Sequence, residues 1–207
     1  MAKPSKKSAT IIIIIGAVLA VIVFKAVLGF LRLREHNTDE ARSKGPADAK
    51  IKIVEYIDFQ CPACAQGAIY LKDLMGQNQG AIRLELNYFP LSMHRHAFTS
   101  AKYAECAARQ NKFWPVHDLI IERQSNWSRL SDAATAFDQI AQEANLDRNT
   151  LDDCLKDEQV DKALLASKDR GDKLGIKSTP TYFINGQLLV GVKSLKDQLG
   201  ILLQDVP

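Results

Sequence analysis

The order of apolar and polar residues after about position 50 is typical of a chain that alternates strands and helices. Residues 51–57 are almost all apolar, which predicts a buried strand. A run with helical spacing follows from 62 to about 77, and a second strand is predicted at 82–89, where Pro90 ends it. A strand, a crossover helix and a second strand of these lengths indicate a βαβ unit.

The middle of the chain, from about 94 to 174, has helical periodicity and predicts a compact helical block. Its predicted helices cover residues 97–109, 112–123, 131–144, 149–156 and 158–174. The last of these ends at Gly175, a residue type that commonly follows a helix.

Strand character returns near the carboxyl end, at 181–184 and 187–190, and the joining pair Asn185-Gly186 strongly favours a hairpin. Ser194 and Asp197 resemble a capping box and predict a last helix from Leu195 to about Leu203. The predicted order is therefore βαβ, a helical insertion and ββα, which places the domain in the α/β class.

The amino-terminal segment has a different character. Residues 11–24 carry no charge, and with Lys25 tolerated the apolar stretch continues to residue 31, which is about 30 Å of helix and enough to cross a bilayer. We therefore predict a transmembrane anchor at 11–31 behind a basic tail at 1–10. A cleaved signal sequence is the alternative, although the large residues that follow offer no good cleavage site.

Composition fits one globular domain with an attached segment, since 46% of the 207 residues are hydrophobic and 25% are charged. We interpret the polar residues 32–49 as a linker and 50–205 as the domain. The net charge is only +3, and no basic patch with interleaved aromatic residues is present. The sequence therefore predicts no nucleic-acid partner.

The candidate chemistry lies in Cys61-Pro62-Ala63-Cys64, which follows the first strand and opens the first helix. Pro62 suits the first helical position, and the positive end of the helix favours a thiolate at Cys61. Cys64 would be shielded one turn further in, where it could attack a mixed disulfide formed at Cys61. A structural pair or half of a metal site is the alternative.

Several separate features resemble the DsbA-like branch of the thioredoxin superfamily, over about residues 47–205. They are Glu55 six positions before Cys61, the Cys-Pro-Ala-Cys sequence, Lys112-Phe-Trp-Pro-Val-His117 in the insertion, and Gly175-Ile-Lys-Ser-Thr-Pro-Thr-Tyr-Phe-Ile-Asn-Gly186. The resemblance implies a thioredoxin fold with an inserted helical domain. It also implies that Pro180 is cis, that it lies beside the cysteine pair, and that Thr179 and Pro180 present backbone to an extended substrate.

Glu55 has two interpretations. An acidic strand residue usually faces solvent, but the apolar neighbours leave little room for a polar face. The resemblance places an acid here beneath the second cysteine, where a carboxylate of raised pKa could accept the proton of Cys64. Asp58 is nearer to the cysteines in sequence, and we expect it at the surface or in a turn.

Cys106 and Cys154 lie in two predicted helices of the insertion. They could be two free buried thiols, or, as the resemblance implies, a structural disulfide within the helical block. His94, His96 and His117 fit no standard zinc spacing, so no metal site is predicted.

The resemblance implies a protein disulfide oxidoreductase that forms disulfides in exported proteins and needs no cofactor beyond its cysteine pair. We expect a monomer in the inner membrane with its domain in the periplasm, or a soluble periplasmic form after signal cleavage, and a membrane partner that restores its redox state. Ala63 stands where strongly oxidising relatives carry a histidine, so isomerase or reductase activity stays open. A Cu(I) metallochaperone and a non-catalytic peptide-binding module are the more distant alternatives.

Overall fold

The structure is a computed structural model that describes Gly16, residues 18–25 and residues 38–205. Residues 18–25 are helical, and among the described residues no helix has the length and apolar character that a bilayer crossing requires. The predicted tail at 1–10 and most of the predicted anchor at 11–31 lie outside the described residues. Residues 38–205 form a unit of their own, which the following paragraphs describe.

The unit is built on a five-stranded sheet in the order β1-β3-β2-β4-β5. Its strands are β1 (Ser43–Lys44), β2 (Ile51–Ile57), β3 (Ile82–Tyr88), β4 (Thr181–Ile184) and β5 (Gln187–Val190). The β2–β3 pair is parallel and the other pairs are antiparallel. This mixed sheet confirms the predicted βαβ and ββα units.

The helices α1 to α8 span Pro62–Gln77, Ala97–Arg109, Phe113–Glu122, Gln124–Trp127, Ala134–Glu143, Arg148–Lys156, Glu158–Lys173 and Gly191–Leu202. One face of the sheet packs on α1 and α8, because Ile53 and Tyr182 share a buried cluster with Leu71 and Leu195. A second large cluster fills the insertion between α2 and α7 and reaches the cysteines at the start of α1.

A disulfide between Cys106 on α2 and Cys154 on α6 joins two helices of the insertion, and it links positions 48 residues apart in sequence. Both residues are buried, beside Ala107 and Leu151 in the core of the insertion. The bridge therefore ties α6 to the centre of the helical block.

Two local expectations differ from the structure. The last helix begins at Gly191 rather than Leu195, so Ser194 and Asp197 lie inside it and the predicted capping box is wrong. Gly191 has a φ of +81°, and its N–H bonds to the carbonyl of Pro180. A glycine tolerates this conformation, which lets the chain turn from β5 directly into α8.

The predicted linker also contains structure, because residues 38–49 pack on the sheet and supply β1. Arg42 is buried, and it donates hydrogen bonds to Glu105 on α2 at 2.9 Å and to the carbonyl of Leu86 at 3.2 Å. Glu105 also accepts hydrogen bonds from the Thr38 and Tyr88 hydroxyls. A polar segment of this kind is fixed by distant partners, which its own sequence does not reveal.

Candidate dithiol active site

The two cysteines of Cys61-Pro62-Ala63-Cys64 lie at the amino end of α1, where the sequence predicts them. Cys61 is the N-cap residue and Pro62 begins the helix. Cys61 is 9% exposed and Cys64 is fully buried, and both are free thiols. A reagent from solvent therefore reaches Cys61 first.

The surroundings of Cys61 favour its thiolate. A hydrogen bond from the Cys64 thiol has the largest effect, and although burial opposes it, backbone N–H groups at the helix start add to it. Together they lower the pKa of Cys61 from 9 to about 5. Free N–H groups at a helix amino end are a general site for negative charge.

Cys64 has the opposite environment. Burial raises its pKa well above the ordinary value, and the hydrogen bond it donates to Cys61 raises it further. The pair therefore holds one ionised and one protonated sulfur at neutral pH. This division of roles is what an attacking thiolate and a later resolving thiol require.

The Thr179-Pro180 peptide bond is cis, and it lies beside the cysteine pair. The thiol of Cys61 donates to the carbonyl oxygen of Thr179, with 3.4 Å between sulfur and oxygen. The Thr179 hydroxyl is buried and has no hydrogen bond of normal geometry among the described residues, but it lies near enough to Cys61 to help lower the pKa of that thiol. The structure thus brings together two segments that are far apart in sequence.

Glu55 lies in β2 on the face that packs against α1, and it is fully buried. Desolvation raises the pKa of its carboxyl group to about 8. Tyr182 is its cross-strand neighbour in β4, and the Tyr182 hydroxyl opposes part of this rise in the pKa. In the described part of the chain, neither that hydroxyl nor either carboxyl oxygen has a hydrogen bond of normal geometry. A carboxyl group in this state can exchange a proton near neutral pH.

Asp58 is buried rather than at the surface, so that part of the expectation is wrong, although it does begin the turn before Cys61. Its carboxylate accepts hydrogen bonds from the backbone N–H groups of Gln60 and Leu91, at 2.8 and 2.9 Å, and lies 2.8 Å from His94 Nδ1. These bonds satisfy a buried charge and fix the turn.

Gln124, which the sequence did not single out, holds the same turn from the insertion. Its side-chain amide donates to the carbonyl oxygens of Phe59 and Cys61, at 2.7 and 3.0 Å. The short helix α4 that carries it was not predicted as a separate element. No sequence pattern marks a lone glutamine as such a contact, because its partners are backbone atoms.

The three histidines of interest occupy different surroundings. His94 pairs with Asp58, the His96 ring contacts the carbonyl of Leu130 at 2.8 Å, and the His117 ring contacts Asp118 at 2.9 Å. Within residues 38–205, Gly16 and 18–25, no group of three or more histidine, cysteine or acidic residues is arranged to hold a metal ion.

A mixed sheet with a cysteine pair at the start of its first helix and a cis-proline beside that pair makes this domain a thioredoxin-type fold with a dithiol site. Residues 37–203 match the family profile described as thioredoxin. The chain belongs to the thioredoxin family.

Two solved structures show the same fold. That of α-DsbA1 from Wolbachia pipientis is 22% identical with a TM-score of 0.69, and the match covers 79% of this chain and 89% of that chain. BdbD from Bacillus subtilis, in its oxidised form, is 18% identical with a TM-score of 0.66, covering 79% and 92%.

A curated relative is the Na(+)/H(+) antiporter NhaA 3 of Salinispora tropica, which is 31% identical over 152 residues. The match includes 73% of this chain but 22% of that protein. The chain therefore spans about a fifth of the length of this relative.

Proposed function

We propose that the domain is a dithiol oxidase that introduces disulfide bonds into exported proteins through Cys61 and Cys64. The observation that carries this proposal is the lowered pKa of Cys61, about 5, beside a fully buried and protonated Cys64. A sulfur that is stable as a thiolate is a good leaving group, so it releases a bound substrate readily.

The reaction begins with the Cys61–Cys64 disulfide. A substrate thiolate attacks the sulfur of Cys61, the Cys61–Cys64 bond breaks, and Cys64 leaves with the electron pair and takes the proton of Glu55. A second substrate thiolate then attacks the first substrate sulfur, and Cys61 leaves as a thiolate. Two substrate thiols become one disulfide, and the two electrons remain on the enzyme pair.

Glu55 suits the oxidising direction because its raised pKa keeps it protonated at neutral pH. At pH 7 a group with a pKa of about 8 is roughly nine-tenths protonated, and it can therefore donate to Cys64 as this sulfur leaves. Thr179 and Pro180 would bind the substrate through their backbone, next to the sulfur that is attacked.

Ala63 supplies no side-chain donor to the thiolate, so the oxidising strength of the pair has to come from the remaining contacts. The pKa of about 5 lies between the values of about 7 for thioredoxin and about 3.5 for DsbA. We therefore expect a reduction potential between about −270 and −120 mV, the values of the same two proteins.

A membrane setting completes the proposal. The apolar residues 11–31 would anchor the chain in the inner membrane with the domain in the periplasm, where disulfides persist. A membrane protein that accepts two electrons would reoxidise Cys61 and Cys64, so that no bound cofactor is needed.

Refolding of reduced ribonuclease by the oxidised domain, together with titration of its cysteine pair against glutathione, tests the proposal. We expect stoichiometric substrate oxidation, its loss in Cys61→Ser, and no loss when Cys106 and Cys154 are both replaced by Ala. A potential at or below about −270 mV would instead identify a reductant. Equal refolding by Cys61→Ser would rule out the enzyme activity itself.

A further inference from the structure

A small cavity lies between β2, α1 and α3, and it has room for about one water molecule. Its wall contains four side chains that can carry a proton: Glu55, Lys72, His117 and Asp118. Trp114 also lines it, and its indole N–H is fixed to the carbonyl of Ser43 at 3.1 Å. The cavity therefore connects the core of the sheet with the insertion.

Unpartnered polar atoms occur on both sides of this space. Both carboxyl oxygens of Glu55 and Nε2 of His117 are buried, and within residues 38–205 none of them has a hydrogen bond of normal geometry, although the Tyr182 hydroxyl is near enough to Glu55 to lower its pKa somewhat. A buried polar atom without a partner costs about 1–3 kcal/mol, so native proteins keep few of them without a bound water or a function. One water in the cavity could bond to Glu55 and to His117 Nε2.

The other ring nitrogen of His117 fixes the tautomer. Nδ1 lies 2.9 Å from Oδ1 of Asp118, so Nδ1–H donates to that carboxylate and Nε2 keeps its lone pair. Burial alone would raise the pKa of Asp118, but the hydrogen bonds from His117 and Lys72 outweigh it and hold the pKa at about 2. Asp118 is therefore ionised and acts as the acceptor of the Nδ1–H hydrogen bond.

Aromatic rings hold His117 in place. The ring centres of Phe59, Phe113 and Trp114 lie 5.7, 5.8 and 5.1 Å from the imidazole. Asp118 also forms an ion pair with Lys72, at 2.9 Å. The Lys72 side chain is 48% exposed and that of Asp118 is 23% exposed. His117 thus lies between a buried carboxyl group and an ion pair that reaches solvent.

We propose that His117 exchanges the proton of Glu55 through one water in this cavity and so connects the buried carboxyl group with solvent. The proposal rests on the dithiol chemistry proposed above and extends it. In this proposal His117 acts on Glu55 and not on a cysteine sulfur or on the substrate. It is therefore a positioning residue, which places the proton that Glu55 carries.

The proton balance is simple when the pair closes. Glu55 first loses its proton along this path, and the ionised carboxylate then accepts the proton of Cys64 as that sulfur attacks a mixed disulfide at Cys61. Glu55 passes a proton to the water, and the water passes one to Nε2, which forms an imidazolium paired with Asp118. The imidazolium loses its Nδ1 proton to solvent at the exposed edge of Asp118, which leaves the proton on Nε2. When Cys64 leaves, the reverse path delivers the Nε2 proton to Glu55 through the water and returns a proton from solvent to Nδ1.

Ellman's reagent separates the attack by Cys61 from the attack by Cys64. Each molecule of reduced protein releases two molecules of thionitrobenzoate from the reagent, one after the other. The first release reports attack by Cys61, and the second reports attack by Cys64 on the mixed disulfide. We expect His117→Asn to leave the first rate constant within about twofold and to slow the second at least roughly tenfold, since acid–base assistance contributes about 100-fold or more. Asparagine keeps a donor for Asp118 but lacks Nε2.

The pH dependence of the second rate constant should also change in His117→Asn. Within residues 38–205, the titratable and charged side chains around Glu55 come from four elements. They are Cys64 and Lys72 on α1, Lys44 on β1, His117 and Asp118 on α3, and Tyr182 on β4. In wild type we expect an inflection near the Glu55 pKa of about 8. In His117→Asn the second rate constant should depend less steeply on pH.

The matched control is His96→Asn, which also replaces a buried histidine of the insertion but lies outside the cavity wall. It should change neither rate constant. Asp118→Asn provides a second variant that preserves buried volume, and we expect it to slow only the second release.

Three results would overturn the inference. They are an unchanged second release in His117→Asn and Asp118→Asn, an equal slowing of both releases, and a second release as slow in His96→Asn as in His117→Asn. Failure of the proposed function is a different result, because then Cys61 shows no fast first release or Glu55→Gln leaves the second unchanged.

Discussion

The sulfur of Cys61 lies 3.4 Å from the carbonyl oxygen of Thr179, although 118 residues separate the two along the chain. A carbonyl oxygen accepts a hydrogen bond from a thiol but repels a thiolate. When Cys61 ionises, this contact is lost and the charge depends on the Cys64 thiol, on the Thr179 hydroxyl and on the N–H groups of α1. The Thr179 carbonyl is then free to accept a hydrogen bond from a substrate.

The pKa of Cys61 should depend mainly on Cys64, whose thiol makes the largest contribution. Absorbance of the thiolate at 240 nm should give a midpoint near pH 5 in wild type. Cys64→Ser keeps a donor and should stay close to this value, whereas Cys64→Ala should move it upward. Equal midpoints in the two variants would show that the helix end alone stabilises the thiolate.

The same shift has a consequence for stability. The folded-state pKa of Cys61 lies below its ordinary value of 9, so ionisation stabilises the reduced fold. This contribution is complete only above pH 9 and is lost as the pH falls through about 5.

Glu55 should affect stability in the opposite sense. Its folded-state pKa of about 8 lies above the ordinary 4.5, so the folded state holds the proton longer and stability falls as the pH rises between these values. The loss from this group is roughly 3 kcal/mol between pH 4.5 and 7. Urea unfolding of the oxidised protein should show this loss in wild type and its absence in Glu55→Gln. Parallel pH profiles would contradict a buried titrating carboxyl group.

The sequence predicted most of the fold because its information is local. The apolar run at 51–57, the helical spacing from 62 and Asn185-Gly186 each fix an element through their own residues. Helix boundaries were less predictable, as the last helix shows: its start depends on the φ of Gly191 and on a bond to Pro180 across the sheet.

The hydrogen bonds that hold the candidate site in place were not predictable from the local sequence pattern. Gln124 binds backbone oxygens of the turn before α1. Asp58 binds the backbone N–H of Gln60 in its own turn and that of Leu91, which is 33 residues away. Backbone groups are nearly the same in every residue type, so a contact with them cannot be predicted from the identity of the partner residue. Burial of Asp58 was therefore unexpected, although its position next to Cys61 was plain.

Gln124→Ala should loosen the turn that carries Cys61, because two backbone carbonyls lose a donor. Loss of such buried bonds costs about 1–3 kcal/mol of unfolding free energy. We expect that loss in urea denaturation, and faster hydrogen exchange at the amides of residues 59–61. The control is Gln139→Ala, which alters an exposed glutamine of the insertion. Equal exchange in both variants would show that the turn holds itself.

Removal of the Cys106–Cys154 disulfide should destabilise the insertion without altering the dithiol chemistry. The bridge closes a loop with a sequence separation of 48 residues, which corresponds to about 4 kcal/mol on the chain-entropy model. We expect Cys106→Ala with Cys154→Ala to lower the unfolding free energy by about this amount while the rate of Cys61 with Ellman's reagent stays unchanged. A large change in that rate would mean that the bridge also shapes the active site.

The buried pair Arg42–Glu105 should decide whether residues 38–49 remain on the sheet. Arg42→Met leaves the Glu105 carboxylate buried without its cation, and loss of one partner of such a pair costs about 3–5 kcal/mol. Adding Glu105→Gln removes the unpaired charge but keeps an acceptor for Thr38 and Tyr88, so much of the stability should return. Arg148→Met removes only exposed ion pairs and should cost less than about 1 kcal/mol. If the double variant is as unstable as Arg42→Met, packing of the Arg42 side chain is more important than its charge.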